Sequence, residues 1–243
     1  MIRTKLGLLG LCAMVVGMMT MSAGTAQGAT FSWLLLNTAM VAVPFLDALV
    51  GFTPESSHMT LDGEVAGLKV AITCTNVSAK GVSLKAEGKL TEGGKAVFTG
   101  CKVYKSAPLT EEYSCTVKTA GAAAGTIETN EGKGELVLVG TKLLTKVEPK
   151  SGPTGNFATI RFEGASCVLP ELNQVHGTLY LRDCQDMWTL HLEKHLVEED
   201  GQETRLYIGG HTAKQLEVTK ILGSFWMFLI GEHTEYLFGA MDV

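Results

Sequence analysis

Six cysteines are the side chains best suited to chemistry in this 243-residue chain. A thiolate can hold a metal, exchange with a disulfide or act as a nucleophile. Spacing and compartment decide which. No C-x-x-C occurs, so the zinc-ribbon and dithiol redox patterns lose their main signal. The stretch CKVYKSAPLTEEYSC, from Cys101 to Cys115, brackets a polar loop. In an oxidising compartment it reads as a structural staple. Closing a loop of about fifteen residues is worth on the order of 3 kcal/mol in the chain-entropy picture.

Other constellations carry weaker signals. In His191-Leu192-Glu193-Lys194-His195, a strand would place His191, Glu193 and His195 on one face, a donor set suited to a divalent ion. The outer two would then stand about 13 Å apart, too far to share one ion. The H-E-x-x-H order is absent, and a solvated polar face is the expected role. Asp183 and Asp186, near Arg182, are the candidate acid groups of a hydrolase, although exposed strand ends commonly carry such charges. There is no G-x-S-x-G elbow, and Ser166 beside Cys167 lacks a recognisable base. GELVLVGTK, residues 134–142, has the wrong order for a phosphate loop. Trp226, flanked by Phe225 and Phe228, is expected to pack in a core rather than line a pocket. No residue is assigned to catalysis, metal or cofactor, and the chain is expected not to be an enzyme.

The N-terminal segment decides the compartment. MIRTKLGLLGLCAMVVGMMTMSAGTAQGAT has a basic head at Arg3 and Lys5, an apolar run from Leu6 to about Thr20, and a small-residue close at Ala26-Gln27-Gly28. That is the layout of a signal peptide, expected to span 1–28 and to leave one secreted β-rich domain, 29–243. A leucine stands where a lipid-anchor motif around Cys12 needs a small residue. Removing Arg3 and Lys5 takes the net charge from −5 to about −7. With no dense basic cluster, nucleic acid and anionic membrane surfaces are excluded as partners. FSWLLLNTAMVAVPFLDALVGF, residues 31–52, is interrupted by Asn37, Pro44 and Asp47. A spanning helix rarely tolerates all three, so a first strand and a buried connection are expected instead of an anchor.

Export favours pairing of the five remaining cysteines. Cys74 shares strand parity with Leu68, Val70 and Ile72, Cys101 with Val97 and Val103, and Cys115 with Tyr113 and Val117. All three are expected to point inward. Cys184 shares the polar parity of His176, Thr178 and Arg182. The expected pairs are Cys101–Cys115 and Cys74–Cys167, with Cys184 a free thiol. The alternative is Cys167–Cys184 with Cys74 odd.

The elements that must position these residues read as β throughout. Leu68, Val70 and Ile72 alternate with Lys69, Ala71 and Thr73, and Val175, Leu179 and Leu181 with His176, Thr178 and Tyr180. Turn signals fall at Glu92-Gly93-Gly94, Asn130-Glu131-Gly132, Lys150-Ser151-Gly152-Pro153, Glu199-Asp200-Gly201 and Gly209-Gly210. The small residues of Gly121 to Gly125 suit a close backbone approach at a chain reversal. The fold class expected is all-β, an antiparallel sandwich or barrel bearing disulfides.

Trp33-Leu34, Ile72-Thr73-Cys74, Phe98 to Cys101, Cys115 and Gly121 to Leu136 occur in an order that resembles a group of secreted, uncharacterised proteins of soil actinobacteria. The resemblance implies export and a β-rich, cysteine-bearing domain, and no activity. Cys184 and the acidic, leucine-rich segment after it depart from the pattern. The function expected is a non-enzymatic binding or structural module, secreted or in the cell envelope, with a protein or envelope partner. The alternatives are a carrier of a small apolar ligand in a β cavity and a secreted hydrolase using Asp183/Asp186 or His191/His195.

Overall fold

Alternating burial along the chain sets the architecture. In the segment 172–181, Asn173, Val175, Gly177 and Leu181 are buried while Leu172, Gln174, His176 and Tyr180 are half-exposed. One face of such a strand must meet another layer. The computed structural model describes residues 31–43, 47–55, 57–105, 111–182, 193–196, 205–209 and 217–242.

The strands in chain order begin with β1 (Phe31–Leu36), β2 (Ala42–Val43), β3 (Asp47–Pro54), β4 (Met59–Val65), β5 (Leu68–Cys74), β6 (Asn76–Lys80) and β7 (Ser83–Lys85). Then come β8 (Lys89–Thr99), β9 (Lys102–Tyr104), β10 (Thr116–Thr119), β11 (Ile127–Glu128), β12 (Gly132–Val139), β13 (Lys142–Pro149) and β14 (Asn156–Glu163). The last are β15 (Leu172–Leu181), β16 (Glu193–Leu196), β17 (Arg205–Gly209), β18 (Glu217–Leu222), β19 (Ser224–Leu229) and β20 (Leu237–Asp242). Every ladder among the described residues is antiparallel.

Two runs of strands share β15. The first is β9–β5–β4–β18–β17–β15–β14–β10. Its two ends meet, because the Tyr113 N–H donates to the Val103 carbonyl at 2.8 Å and the Cys101 N–H to that of Gly125 at 2.9 Å. It wraps a core that includes Ile72, Val103, Val117, Ile160 and Phe162. The second run is β16–β19–β3–β7–β8–β12–β13–β15. It holds a core that includes Val50, Leu84, Leu144's neighbour Leu143, and Leu229, and that Trp33, Leu35 and Phe238 complete from the three-stranded sheet β2–β1–β20. β15 serves both, since Leu172 to His176 pair with β14 while Leu179 to Leu181 pair with β13.

Several expectations are corrected. The connection after β1 is exposed, not buried, with Met40 and Val41 at 47% and 57% exposure. Asn37 explains it: its Oδ1 accepts from the N–H groups of Ala39 and Val41, both at 3.0 Å, and this forces a tight turn into β2. Pro44 lies outside the described residues. Glu92-Gly93-Gly94 is no turn but the middle of β8. Gly94 lets the connection between β6 and β7 approach, and a Cβ there would stand 2.7 Å from Val82 Cγ2. The signal at Lys150 to Pro153 falls between strands and that at Asn130 to Gly132 leads into β12, whose first residue is Gly132, whereas residues 199–201 and 210 lie outside the described ones.

The disulfides are Cys74–Cys101 and Cys115–Cys167, which corrects the expected Cys101–Cys115 and Cys74–Cys167. The β6–β8 ladder pairs Asn76 with Thr99. Continued outward, its register sets Cys74 opposite Cys101. Gly100, at φ +65°, turns the chain between Thr99 and Cys101, so parity counted through that glycine does not apply. Likewise Thr116 pairs with Glu163 in β10–β14, and the turn closed by Cys167 N–H to the Gly164 carbonyl returns Cys167 toward Cys115. Cys184 lies outside the described residues. The Gly121 to Gly125 reversal is as expected a close approach, a Cβ on Gly125 standing 3.2 Å from the Cys101 carbonyl oxygen.

Candidate functional site

The two cores do not fill the space where they meet. A cavity of about 210 Å³ lies between them. Phe52 of β3, Leu61 of β4, Ile72 of β5, Phe98 of β8, Val175 of β15 and Phe225 of β19 form its main walls. The residues come from strands far apart in sequence. Cys74 also lines it, so one wall is tied covalently to Cys101. Small residues, Gly94, Ala96, Gly132 and Ala158, are among those that border the space. The interior hydroxyls find partners within the protein: Thr91 with Ser83, and Thr60 with Thr73 at 3.4 Å. An apolar cavity of about 150 Å³ takes up benzene, so this one has room for a small hydrocarbon group.

Lys95, Thr129, Asn130 and Lys133 also line the cavity, largely through their apolar atoms. Lys95 and Asn130 also border an outer cleft of about 530 Å³ with Glu131, Pro149, Lys150, Ser151 and Asn156. The charges here are paired. Glu128 takes Lys95 at 3.0 Å and Lys80 at 3.2 Å, Glu131 takes Lys150 at 2.8 Å, and Glu148 takes Lys133 and Lys146, each at 3.4 Å. Lys146 also reaches Glu135 at 3.2 Å. The hydrogen bond from Lys95, then that from Lys80, holds the Glu128 carboxyl below its ordinary value. Lys150 does the same for Glu131, and Glu131 raises Lys150 in return. Burial pulls Lys146 down, but its bonds to Glu135 and Glu148 together outweigh this and raise it.

A pH dependence follows. A carboxylate with a depressed folded value stabilises the fold above its ordinary value of 4.5, and the contribution fades as pH falls through the folded value. Glu128→Gln is expected to cost up to about 1 kcal/mol near neutral pH, the range of exposed ion pairs, and less at about pH 3. Urea midpoints of the two proteins at both pH values check this. An equal gap at both would show that the Lys95–Glu128–Lys80 cluster is not electrostatic in its effect.

The residues singled out from sequence distribute unevenly. Of the cysteines, Cys74 reaches the cavity, while Cys101, Cys115 and Cys167 stand at the edge of the first core. Asp183, Asp186 and His191 lie outside the described residues. Glu193 and His195 are in β16, where the backbone pairs them with Met227 and Phe225. Among the described residues no group of three His, Cys, Asp or Glu side chains is placed to hold a metal. In the aromatic cluster, Phe225 and Met227 face the cavity and Trp226 is half-buried on the other parity. Phe228 lies over Gly51, its partner across the β3–β19 ladder. Phe225 thus belongs to the second core and lines the cavity as well, while Trp226, for which core packing was expected, does not line it. Sequence reading missed the Lys95–Asn130 mouth, which no local pattern marks.

No helix among the described residues is long and apolar enough to cross a membrane. No family model, no curated protein and no solved structure matches the chain.

Proposed function

We propose that the chain is an exported, non-catalytic binding module of the extracellular space or cell envelope, and that its interior cavity carries a small apolar ligand. The observation that supports this reading is the cavity of about 210 Å³ walled by Phe52, Leu61, Ile72, Phe98, Val175 and Phe225. A well-packed interior leaves few voids larger than a water, and apolar voids stay dry and accept apolar guests. Two disulfides agree with an oxidising compartment, as does the signal-like segment 1–28. The resemblance to secreted actinobacterial proteins points the same way.

The test is native mass spectrometry of protein collected from the medium of a secreting host. An added mass that departs on denaturation is the expected result. Ala158, buried on β14 at the cavity wall, supplies the control. Ala158→Leu is expected to fill the space, remove the added mass, and leave stability unchanged or raised by about 0.5–2 kcal/mol. A wild-type protein that carries no guest, and that toluene does not stabilise against heat, would overturn the proposal.

A further inference from the structure

The cavity and the outer cleft adjoin at Lys95 and Asn130, which line both. A ligand seated in the apolar space therefore presents one end to a polar one. The chemistry of that polar end follows from the charges around it. Lys80, Lys95, Lys133, Lys146 and Lys150 face Glu128, Glu131, Glu135 and Glu148 in direct pairs, and Glu92 adds a longer-range attraction on Lys150. Five cations thus meet five carboxylates. A charged head group would have to break one of these pairs or sit beside a like charge. An uncharged head would not.

Hydrogen-bonding groups stand ready for such a head. The Asn130 amide nitrogen donates to the Asn156 carbonyl at 2.9 Å, which fixes the carboxamide. Its oxygen and the Ser151 hydroxyl make no hydrogen bond among the described residues. The size of the tail follows from the cavity. If about 150 Å³ takes the six carbons of benzene, about 210 Å³ takes on the order of eight.

We infer that the ligand is a single-chain amphiphile, with a tail of about eight carbons in the cavity and an uncharged, hydrogen-bonding head between Asn130 and Ser151. This rests on the cavity reading of the preceding subsection and names the class of guest.

Calorimetric titration of the full secreted chain with four probes tests it: toluene, 1-octanol, octanoate and octylammonium. Toluene reports the cavity alone. The expected result is that toluene binds and that 1-octanol binds about tenfold tighter than either charged octyl probe, with little change on adding salt. Ser151→Ala, at a residue that borders the outer cleft and not the cavity, is expected to weaken 1-octanol about fivefold, the worth of one hydrogen bond, and to leave toluene unchanged. If toluene binds but octanoate or octylammonium matches 1-octanol, the inference falls while the cavity reading stands. The same holds if Ser151→Ala leaves 1-octanol unchanged. If toluene does not bind, both fall.

Discussion

Replacing Cys115 and Cys167 together by alanine is expected to lower the thermal midpoint by about 10 °C or more. The bridge spans 52 residues, and the chain-entropy relation assigns such a loop about 4 kcal/mol. For a domain of this size each kcal/mol moves the midpoint by about 2–4 °C. The Cys74–Cys101 bridge spans 27 residues and is assigned about 3.5 kcal/mol, so its removal costs somewhat less. Calorimetry under non-reducing conditions orders the two. The same variants test connectivity. Cys115→Ala alone should cost about as much as the Cys115/Cys167 double variant, because either change opens the same bridge. If instead Cys101→Ala and Cys115→Ala prove equivalent and non-additive, those two cysteines are partners and the pairing described here is wrong.

The other large effect belongs to the three-stranded sheet. Phe238→Ala is expected to destabilise the protein by about 3–5 kcal/mol, the range for a fully buried phenylalanine. Phe238 is 0% exposed and sits directly across the β1–β20 ladder from Leu35, itself 0% exposed. Trp33 on β1 is opposed by the small Ala240, and Trp33, Leu35, Phe238 and Ala240 all belong to one buried cluster, so truncating Phe238 leaves a cavity within it. Against a typical total of about 5–15 kcal/mol, this is a large share. Urea unfolding should show a lower midpoint at unchanged slope. Val168→Ala, at an exposed position, provides the contrast and should stay within about 0.5 kcal/mol. Equal losses at the two sites would mean that β20 does not pack as described.

The β character was legible because most strands here bury one face. Val175 and Leu181 alternate with Gln174, His176 and Tyr180 in a way that only a period of two explains. The four paired cysteines were legible as a set, since export and spacing favour pairing. Their partners were not. Parity runs along a strand, and Gly100 breaks it one residue before Cys101. The quantity that sets Cys74 opposite Cys101 is the β6–β8 register, which exists only between strands. The same limit hid the site. Phe52, Ile72, Ala158 and Phe225 look like ordinary core residues one by one, and the space among them is a property of four strands together. Gly94 misled for a related reason. Glycine marks a reversal in one setting and a close crossing in another, and the neighbour that distinguishes them, Val82, lies in the connection between β6 and β7.

The β1–β20 ladder has a consequence for timing on the ribosome. Phe31 pairs with Asp242 and Leu36 with Leu237. The strand made early must wait for one made about 200 residues later, which at ribosomal speeds of roughly 5–20 residues per second is about 10–40 s. Until then Trp33 has no ladder partner and Leu35 has only Val43 of β2, and the core they cover stays open on that side. The fold therefore closes only after synthesis of these strands is complete. A chain that cannot close early remains threadable, and under the proposed export route the pairing of β1 with β20 postpones folding to the far side of the membrane, where the cysteines also find their oxidant.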